Sequence, residues 1–344
     1  MSFSVGIVGL PNVGKSTLFK ALTKKPVEIA NYPFTTINPN VGIVTVPDQR
    51  LKKIAEIIKP EKVTPTVIQF IDIAGLVKGA HTGEGLGNQF LAQIRNCDAI
   101  LEIVRAFNTP GVENVLGRVN PEKEIEIIKT ELLMKDLETL ENLLLKLEKD
   151  LKKDKKTLKK FEILKKIKEA VLQGKLISEI NLSQEEKLEI KEYQFLTQKV
   201  IFYVLNTNGK ISLPKYQFKH LKINLKEEEE ISELSKEEAI ELGFKSQLDQ
   251  LILTCYNILD LITFFTVAGG KEVRAWTLKK DSKVIEAAGL VHSDFKEKFI
   301  KAEILNWQKL IEAGSWLMAR EKGFVQSFGK DYLVQDGDVI EFKI

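Results

Sequence analysis

The stretch Gly9-Leu10-Pro11-Asn12-Val13-Gly14-Lys15-Ser16 matches the pattern G-x-x-x-x-G-K-[ST], which binds phosphate groups in nucleoside triphosphatases. Strand-like residues 3–8 precede this stretch, and helix-like residues 17–22 follow it. The order of strand, glycine loop and helix is the one that a P-loop requires. The alternative is a chance glycine turn before a helix.

The chemistry of a P-loop follows from its residue types. Glycines let the backbone curl so that N–H groups point at phosphate oxygens, and the helix N-terminus adds a positive dipole. Lys15 reaches the β- and γ-phosphates, where it also serves catalysis, and the Ser16 hydroxyl ligates Mg²⁺. The predicted nucleotide contacts in this stretch are Asn12, Val13, Gly14, Lys15, Ser16 and Thr17.

The composition is that of an ordinary globular protein. The chain has 344 residues, enough for two or three domains, of which 44% are hydrophobic and 29% charged. Its start reads as a strand rather than a secretory signal, and no run of about 18 apolar residues occurs. The two cysteines, Cys97 and Cys255, form no metal-ligand spacing. We therefore expect a cytoplasmic protein that has no membrane partner.

The net charge of +3 is distributed unevenly along the chain. Residues 146–175 hold twelve lysines and only five acidic residues. Such a cluster indicates a polyanionic partner, and a solvated helix face is the competing interpretation. Because no groove-reading motif accompanies the lysines, DNA is not expected as that partner.

The residue pattern predicts an α/β domain interrupted by a helical insertion. Residues 2–122 alternate strand-like and helix-like segments, which is typical of a mostly parallel sheet with helices on both faces. Residues 122–173 contain neither Gly nor Pro, and their leucines recur at spacings of four and three. These leucines are Leu133, Leu137, Leu140, Leu144, Leu147 and Leu151. This heptad pattern predicts an antiparallel helical hairpin that bends near 152–157. A third helix is predicted over 184–196.

A small α+β module is predicted at the C-terminal end. Two strand-like runs flank Ala268-Gly269-Gly270-Lys271, which is a hairpin signal. The predicted domain ranges are 1–121 and 199–260 for the two parts of the nucleotide-binding domain, 122–198 for the helical insertion, and 261–344 for the C-terminal module.

A second candidate element for phosphate chemistry is Asp72-Ile73-Ala74-Gly75, which follows a strand-like run. In a D-x-x-G element the aspartate approaches Mg²⁺ through water, and the glycine N–H contacts the γ-phosphate. Thr36, or Thr35 as the next choice, would add another Mg²⁺ ligand, so the predicted metal residues are Ser16, Thr36 and Asp72. The alternatives are an ordinary surface loop and a turn threonine.

Base selection is expected at the end of the apolar strand over 200–205. GTPases usually carry N-K-x-D there, and the aspartate pairs with guanine. This chain has Asn206-Thr207-Asn208-Gly209 instead. Because the matching carboxylate is absent, adenine or weak selectivity is favoured. Asn206 and Thr207 are the candidate base contacts.

Six segments together make the chain resemble the YchF family of Obg-like ATPases over essentially its full length. They are residues 9–17, 31–40, 72–88, 119–121, 271–277 and 330–339. The resemblance implies a Ras-like G-domain of the P-loop NTPase class, an inserted antiparallel coiled-coil arm, and a C-terminal α+β TGS domain of ubiquitin-like fold. It also implies ATP as the preferred substrate, Mg²⁺ as cofactor, slow hydrolysis, and association with the large subunit or the whole ribosome.

The chain departs from this family at two functional positions. Gly209 stands where the family usually has the glutamate of N-x-x-E. Asn114 stands where the family uses a histidine before V-N-P, and an amide orients water but is not a base near neutral pH. His81 is the alternative catalytic residue, and a solvated loop histidine is its competing interpretation.

The leading prediction is a monomeric, ribosome-associated ATPase that acts as a nucleotide-dependent switch. Its basic tip and Arg274-Ala275-Trp276 would contact ribosomal RNA, unless the lysines only solvate the helices and the tryptophan only packs a small core. A GTPase or dual-specificity NTPase stays open because of Gly209. A nucleotide-binding adaptor with negligible turnover stays open because of Asn114.

Overall fold

The computed structural model describes residues 3–24, 40–73, 86–150, 155–211 and 214–344. Its strands are β1 (Ser4–Val8), β2 (Val41–Thr45), β3 (Lys62–Thr64), β4 (Val67–Asp72), β5 (Ala99–Ala106), β6 (Val200–Thr207), β7 (His220–Ile223), β8 (Leu261–Ala268), β9 (Glu272–Lys279), β10 (Lys301–Asn306), β11 (Gln326–Phe328) and β12 (Asp338–Lys343). Its α-helices are α1 (Lys15–Thr23), α2 (Gln49–Ile58), α3 (Leu86–Arg95), α4 (Pro121–Asp150), α5 (Lys155–Leu172), α6 (Gln184–Ile190), α7 (Leu225–Ile231), α8 (Lys236–Glu241), α9 (Leu248–Ile258), α10 (Val284–Val291), α11 (Ser293–Glu297), α12 (Trp307–Ala313) and α13 (Trp316–Glu321).

The first sheet has the strand order β2-β4-β1-β5-β6-β7. Only the edge pair β2–β4 is antiparallel among these neighbours, so the predicted mostly parallel sheet is confirmed. Every residue of β1 and β5 is buried. Near-continuous apolar runs of this kind are what central parallel strands need, because both of their faces are covered.

The helical insertion lies between the neighbouring strands β5 and β6. Leucines of α4 and apolar residues of α5 share one core, in which Leu140, Leu164 and Ile167 are fully buried. The interruption between α4 and α5 agrees with the predicted bend, and residues 151–154, including Leu151, lie outside the described part. The antiparallel coiled-coil geometry of this pair stays a prediction.

The third predicted helix is shorter than the range 184–196. Ser183 begins α6 with a capping box in which Glu186 returns the hydrogen bond. The α-helix ends at Ile190, and 3₁₀ turns follow at Lys191–Tyr193 and Leu196–Gln198. Gln194 between these turns has a φ of 49°, a left-handed conformation that interrupts a helix. The spacing of the apolar residues does not reveal this break, so the predicted helix was too long.

The turn that returns the insertion to the sheet is fixed by one buried carboxylate. Asp136 of α4 is fully buried and accepts three hydrogen bonds, from Leu196 N (2.9 Å), Thr197 N (2.7 Å) and Thr197 Oγ1 (2.6 Å). Burial raises the pKa of Asp136, and these donors oppose that shift. The base of the insertion is therefore fastened to the segment that leads into β6.

The second sheet has the order β11-β10-β12-β8-β9-β3. The predicted β8–β9 hairpin is confirmed, with Gly269 and Gly270 at φ values of 55° and 77° in the turn. Strand β3 pairs parallel to β9, so this sheet includes a strand from outside residues 261–344. Helix α2 also belongs to this side, because Ile54 packs in one apolar cluster with Phe265.

An acidic pair is buried where β5 meets α4. Glu102 of β5 is fully buried and its Oε1 has no hydrogen-bond partner in the described part of the chain. Burial and the nearby Glu124 raise the pKa of Glu102 well above its ordinary range. Burial raises the pKa of Glu124 to about 7, although its Oε2 accepts from Arg105 N at 2.8 Å. Folding therefore favours the protonated forms of this pair.

Replacing Asp136 should destabilise the base of the insertion. Asp136→Ala leaves two backbone N–H groups buried without acceptors, so we expect a loss of about 3–5 kcal/mol in the free energy of unfolding, measured by urea denaturation. Glu138→Ala is the matched control, because Glu138 is exposed and pairs with Lys135 at the surface, and should cost less than about 0.5 kcal/mol. Equal effects of the two variants would contradict this account.

Replacing Glu124 should change how stability depends on pH. The ordinary pKa of 4.5 rises to about 7 on folding, so the stability contributed by this group falls as the pH rises between these values. Glu124→Gln keeps an acceptor for Arg105 N but does not titrate. Relative to wild type, we expect the variant to gain up to about 3 kcal/mol between pH 4.5 and 7.5, measured by urea unfolding. Glu102 and Arg105 are the charged groups that face Glu124. Parallel pH profiles of stability for the variant and the wild type would refute the assignment of this titration to Glu124.

Candidate nucleotide-binding site

The P-loop lies at the carboxyl end of β1, where the sheet brings several functional residues together. Ile7 is in register with Asp72 of β4, and Arg105 of β5 is in register with Asn206 of β6. The carboxyl ends of parallel strands meet at one edge of a sheet, which is where open α/β folds bind ligands. The predicted residues Asp72 and Asn206 are therefore placed on either side of the loop.

The loop needs glycine at two positions for steric reasons. A Cβ on Gly9 would lie 2.5 Å from Ile103 O, and a Cβ on Gly14 would lie 2.5 Å from Asn206 Nδ2. Gly14 also has a φ of 108°, and Asn12 has a left-handed φ of 62°. This backbone leads into α1, whose N-terminal residues are Lys15, Ser16 and Thr17. The geometry is that of a loop that turns N–H groups towards an anion.

Lys15 is held inside the loop by backbone carbonyls. Its Nζ donates to Gly9 O at 3.1 Å and to Leu10 O at 2.8 Å. Burial lowers the pKa of the Lys15 ammonium, and the nearby Asp72 opposes that shift. The ammonium is therefore positioned close to the loop, where it can pair with phosphate oxygens as a point charge.

Two of the three predicted metal residues come together. Ser16 Oγ donates to Asp72 Oδ2 at 3.4 Å. Burial raises the pKa of Asp72, and both Lys15 and Ser16 oppose that shift. A hydroxyl and a carboxylate are the hard oxygen ligands that Mg²⁺ prefers, and Mg²⁺ normally takes few protein ligands and completes its shell with phosphates and water. The donor set therefore fits Mg²⁺. Thr36, Gly75 and His81 lie outside the described residues.

Asn206 braces the P-loop. Its Nδ2 donates to Val13 O at 2.9 Å, and its Oδ1 accepts from Leu225 N at 3.2 Å at the start of α7. Asn206 is buried, so both ends of its amide are used by backbone groups. Thr207 Oγ1 accepts from Gly209 N at 3.1 Å. The predicted base-reading roles of Asn206 and Thr207 stay predictions.

A cavity of about 760 Å³ opens beside the P-loop. Its lining includes Asn12, Gly14, Lys15, Ser16, Thr17, Phe107, Thr109, Val112, Asn206, Thr207, Asn208 and Lys210. Its volume is in the range of small-molecule and cofactor sites. Beside the phosphate-binding loop, the lining offers an aromatic ring, amides, hydroxyls, the lysines Lys210 and Lys226 and the carboxylate of Glu229. These groups can contact a nucleotide.

Asn114 caps its own turn. Its Oδ1 accepts from Leu116 N at 2.9 Å, and its backbone O accepts from Gly117 N at 2.9 Å. Asn114 does not belong to the lining of the cavity, although Val112 does. The catalytic role predicted for Asn114 therefore stays a prediction.

One buried cation beside the site was not predicted from the sequence. Arg105 is 1% exposed and donates to three backbone carbonyls in the loop 107–113. The available signal was the presence of Glu102 and Arg105 within the apolar run 99–106. Charged residues are rarely buried without a specific partner, so charges inside a central strand indicate a special site.

The predicted RNA-contact residues have structural partners in the described part. The Arg274 guanidinium lies 4.1 Å from the centroid of the Trp276 ring, and Trp276 Nε1 donates to Thr266 Oγ1 at 2.9 Å. Several lysines of the basic cluster pair with acidic residues: Lys159 with Glu185, Lys160 with Glu189 and Glu192, Lys166 with Glu186, and Lys168 with Glu141. Part of the local positive charge is therefore compensated.

Among the described residues, no helix is both long and apolar enough to span a bilayer.

Two family models match the chain. A model described as "50S ribosome-binding GTPase" matches residues 4–161, and a YchF C-terminal model, described as a protein of unknown function, matches residues 261–344. Among solved structures, the Schizosaccharomyces pombe YchF GTPase has a TM-score of 0.88 at 36% identity and covers 99% of this chain and 98% of its own. A GTP-binding protein from Pyrococcus horikoshii OT3, with a TM-score of 0.62 at 19% identity, shares the fold.

Curated relatives match over the whole chain. The "Ribosome-binding ATPase YchF" of Bacillus subtilis (strain 168) is 46% identical and covers 100% of this chain and 99% of its own length. The protein of the same name from Escherichia coli O157:H7 is 44% identical and covers 99% of both. With the P-loop, the Ser16–Asp72 pair and the two-sheet architecture in place, this similarity shows that the chain belongs to the YchF family of ribosome-binding ATPases.

Proposed function

We propose that this protein is a ribosome-associated ATPase that acts as a nucleotide-dependent switch. The observation that carries the proposal is the cavity beside the P-loop, which is lined by Lys15, Ser16, Asn206 and Thr207. Ser16 also contacts Asp72. Asn206-Thr207-Asn208-Gly209 offers no carboxylate to pair with guanine, which favours ATP. Curated relatives named as ribosome-binding ATPases support the same activity.

Catalysis in this proposal is mostly positioning and electrostatics. Lys15 holds the β- and γ-phosphates, and the backbone N–H groups of the loop 12–17 orient them. Ser16 and Asp72 would hold Mg²⁺, with Thr36 as a further ligand, and Gly75 would contact the γ-phosphate. When bound, Mg²⁺ neutralises charge on the phosphates during transfer. Asn114 orients the attacking water, with His81 as the alternative.

A path for the switch signal leads from the nucleotide to the insertion. Helix α3 begins at Leu86, downstream of the D-x-x-G element in the sequence, and ends at Arg95, whose Nη2 donates to Thr139 Oγ1 of α4 at 2.9 Å. A displacement of α3 would therefore be felt at the base of the insertion. In this proposal residues 122–198 form a coiled-coil arm, 261–344 a TGS domain, and the parts 1–121 and 199–260 the G-domain. The protein would act as a cytoplasmic monomer that contacts ribosomal RNA.

Two other functions are favoured by specific residues. A GTPase or dual-specificity NTPase of the same fold is favoured by Gly209, because the glutamate usual at this position is missing. A ribosome adaptor with negligible turnover is favoured by Asn114, whose Oδ1 is engaged with Leu116 N. Neither alternative changes the phosphate site.

Calorimetry and single-turnover kinetics separate these functions. We expect ATP with Mg²⁺ to bind at least tenfold more tightly than GTP, and ribosomes to accelerate hydrolysis. Lys15→Ala should weaken ATP binding by tenfold or more, because it removes the phosphate-pairing cation. Lys20→Ala, an exposed lysine on the same helix, is the matched control and should bind normally. GTP preference would support the first alternative, and binding without turnover would support the adaptor.

Substitutions at Asn114 test the hydrolytic step. Asn114→His supplies a base near neutral pH, so we expect the single-turnover rate of ATP hydrolysis to rise by about tenfold or more. Asn114→Ala should lower that rate at unchanged ATP affinity. If the rates of both variants equal that of wild type, Asn114 does not orient the attacking water.

A further inference from the structure

Arg105 is a buried cation whose guanidinium donates its described hydrogen bonds to one loop. Its Nε donates to Phe107 O at 3.2 Å, its Nη2 to Val112 O at 2.9 Å, and its Nη1 to Glu113 O at 2.6 Å. The guanidinium carbon also lies 4.5 Å from the centroid of the Phe107 ring. Burying a charge is costly unless its donors are satisfied. Here backbone carbonyls satisfy them, and both ends of the loop 107–113 are fastened to the same guanidinium as a result.

This loop forms one wall of the nucleotide cavity. Phe107, Thr109 and Val112 line the cavity, and Val112 and Thr109 are exposed. Exposed connecting segments are the most mobile parts of a fold unless they are tied to the scaffold. Asn12 of the P-loop contacts Glu113 O only at 3.5 Å, so Arg105 provides the stronger attachment.

Arg105 is itself anchored by the helical insertion. The last registered pair between β1 and β5 is Val8–Glu102, so β5 continues past the end of β1. Beyond that point Arg105 N has no β1 neighbour, and it donates to Glu124 Oε2 of α4 instead. Glu124 thus fixes the backbone of Arg105, and the guanidinium of Arg105 fixes the loop 107–113.

We propose that Arg105 is a positioning residue for the nucleoside part of the nucleotide. It holds the wall of Phe107, Thr109 and Val112 at the distance from Asn206 and Thr207 that a purine nucleoside requires. The inference rests on the proposed function, because it presumes that a nucleotide binds in this cavity. The side-chain hydrogen bonds described for Lys15, Ser16 and Asp72 at the phosphate site do not involve Arg105.

The test compares a ligand that has a base with one that lacks it. Arg105→Lys keeps the charge but cannot reach three carbonyls at once. We expect the dissociation constant of ATP to rise by about tenfold in the full-length variant, while that of inorganic tripolyphosphate stays within twofold of wild type. In hydrolysis the KM for ATP should rise with little change in kcat. The matched control is Arg118→Lys, because Arg118 is an exposed arginine beyond the loop. This variant should leave the dissociation constants of ATP and tripolyphosphate unchanged.

A second variant tests the same proposal in case Arg105→Lys does not fold. Phe107→Ala changes a half-buried wall residue and should also weaken ATP without weakening tripolyphosphate. Normal ATP binding by Phe107→Ala would overturn the proposal, and so would equal losses for both ligands in Arg105→Lys. A wild-type protein that does not bind ATP would instead refute the proposed function.

Discussion

The pairing of β5 with β1 on one side and β6 on the other is the constraint on which the rest of the structure depends. All residues of β5 are buried, and its registers place Val8 beside Glu102 and Asn206 beside Arg105. Because the three strands are parallel, the P-loop, the loop 107–113 and the residues after β6 all emerge at one edge. A shift of one residue in these registers would turn Asn206 away from Val13 and leave the P-loop without its brace.

The local motifs of the site were predictable, and the long-range contacts were not. The P-loop and the Asp72 element are recognisable because their chemistry requires particular residues at short spacing. The brace from Asn206 to Val13 and Leu225 could not be predicted, because it joins residues about 190 and 20 positions apart. Arg105 was missed because hydrophobic periodicity treats a charged residue in a strand as an exposed position, whereas here its donors meet backbone carbonyls.

The second sheet shows the same limit at the level of the fold. Its hairpin could be predicted from two apolar runs around Gly269-Gly270, since that signal is local. The addition of β3 could not, because the three residues Lys62–Thr64 have no strong pattern of their own. The join is stabilised by polar contacts: Thr64 Oγ1 donates to Glu272 Oε1 at 2.7 Å, and Arg50 pairs with both Asp48 and Asp336. Helix α2 and strand β3 therefore connect the domain that contains the first sheet to the second sheet.

The insertion is connected to the domain that contains the first sheet by two routes. One runs from the loop 107–113 through Arg105 to Glu124. The other runs through α3, where Arg95 contacts Thr139 and where Lys199 Nζ donates to Arg95 O at 2.9 Å.

Both routes meet α4 within its first nineteen residues, and Asp136 lies in the same stretch. A helix fixed at several points along one end moves as a rigid body when those points move together, rather than bending locally. The charged residues buried at this junction, Glu102, Arg105 and Glu124, cost stability. These residues lie where the loop 107–113 meets the insertion. The proposed switch requires a defined geometry at this junction.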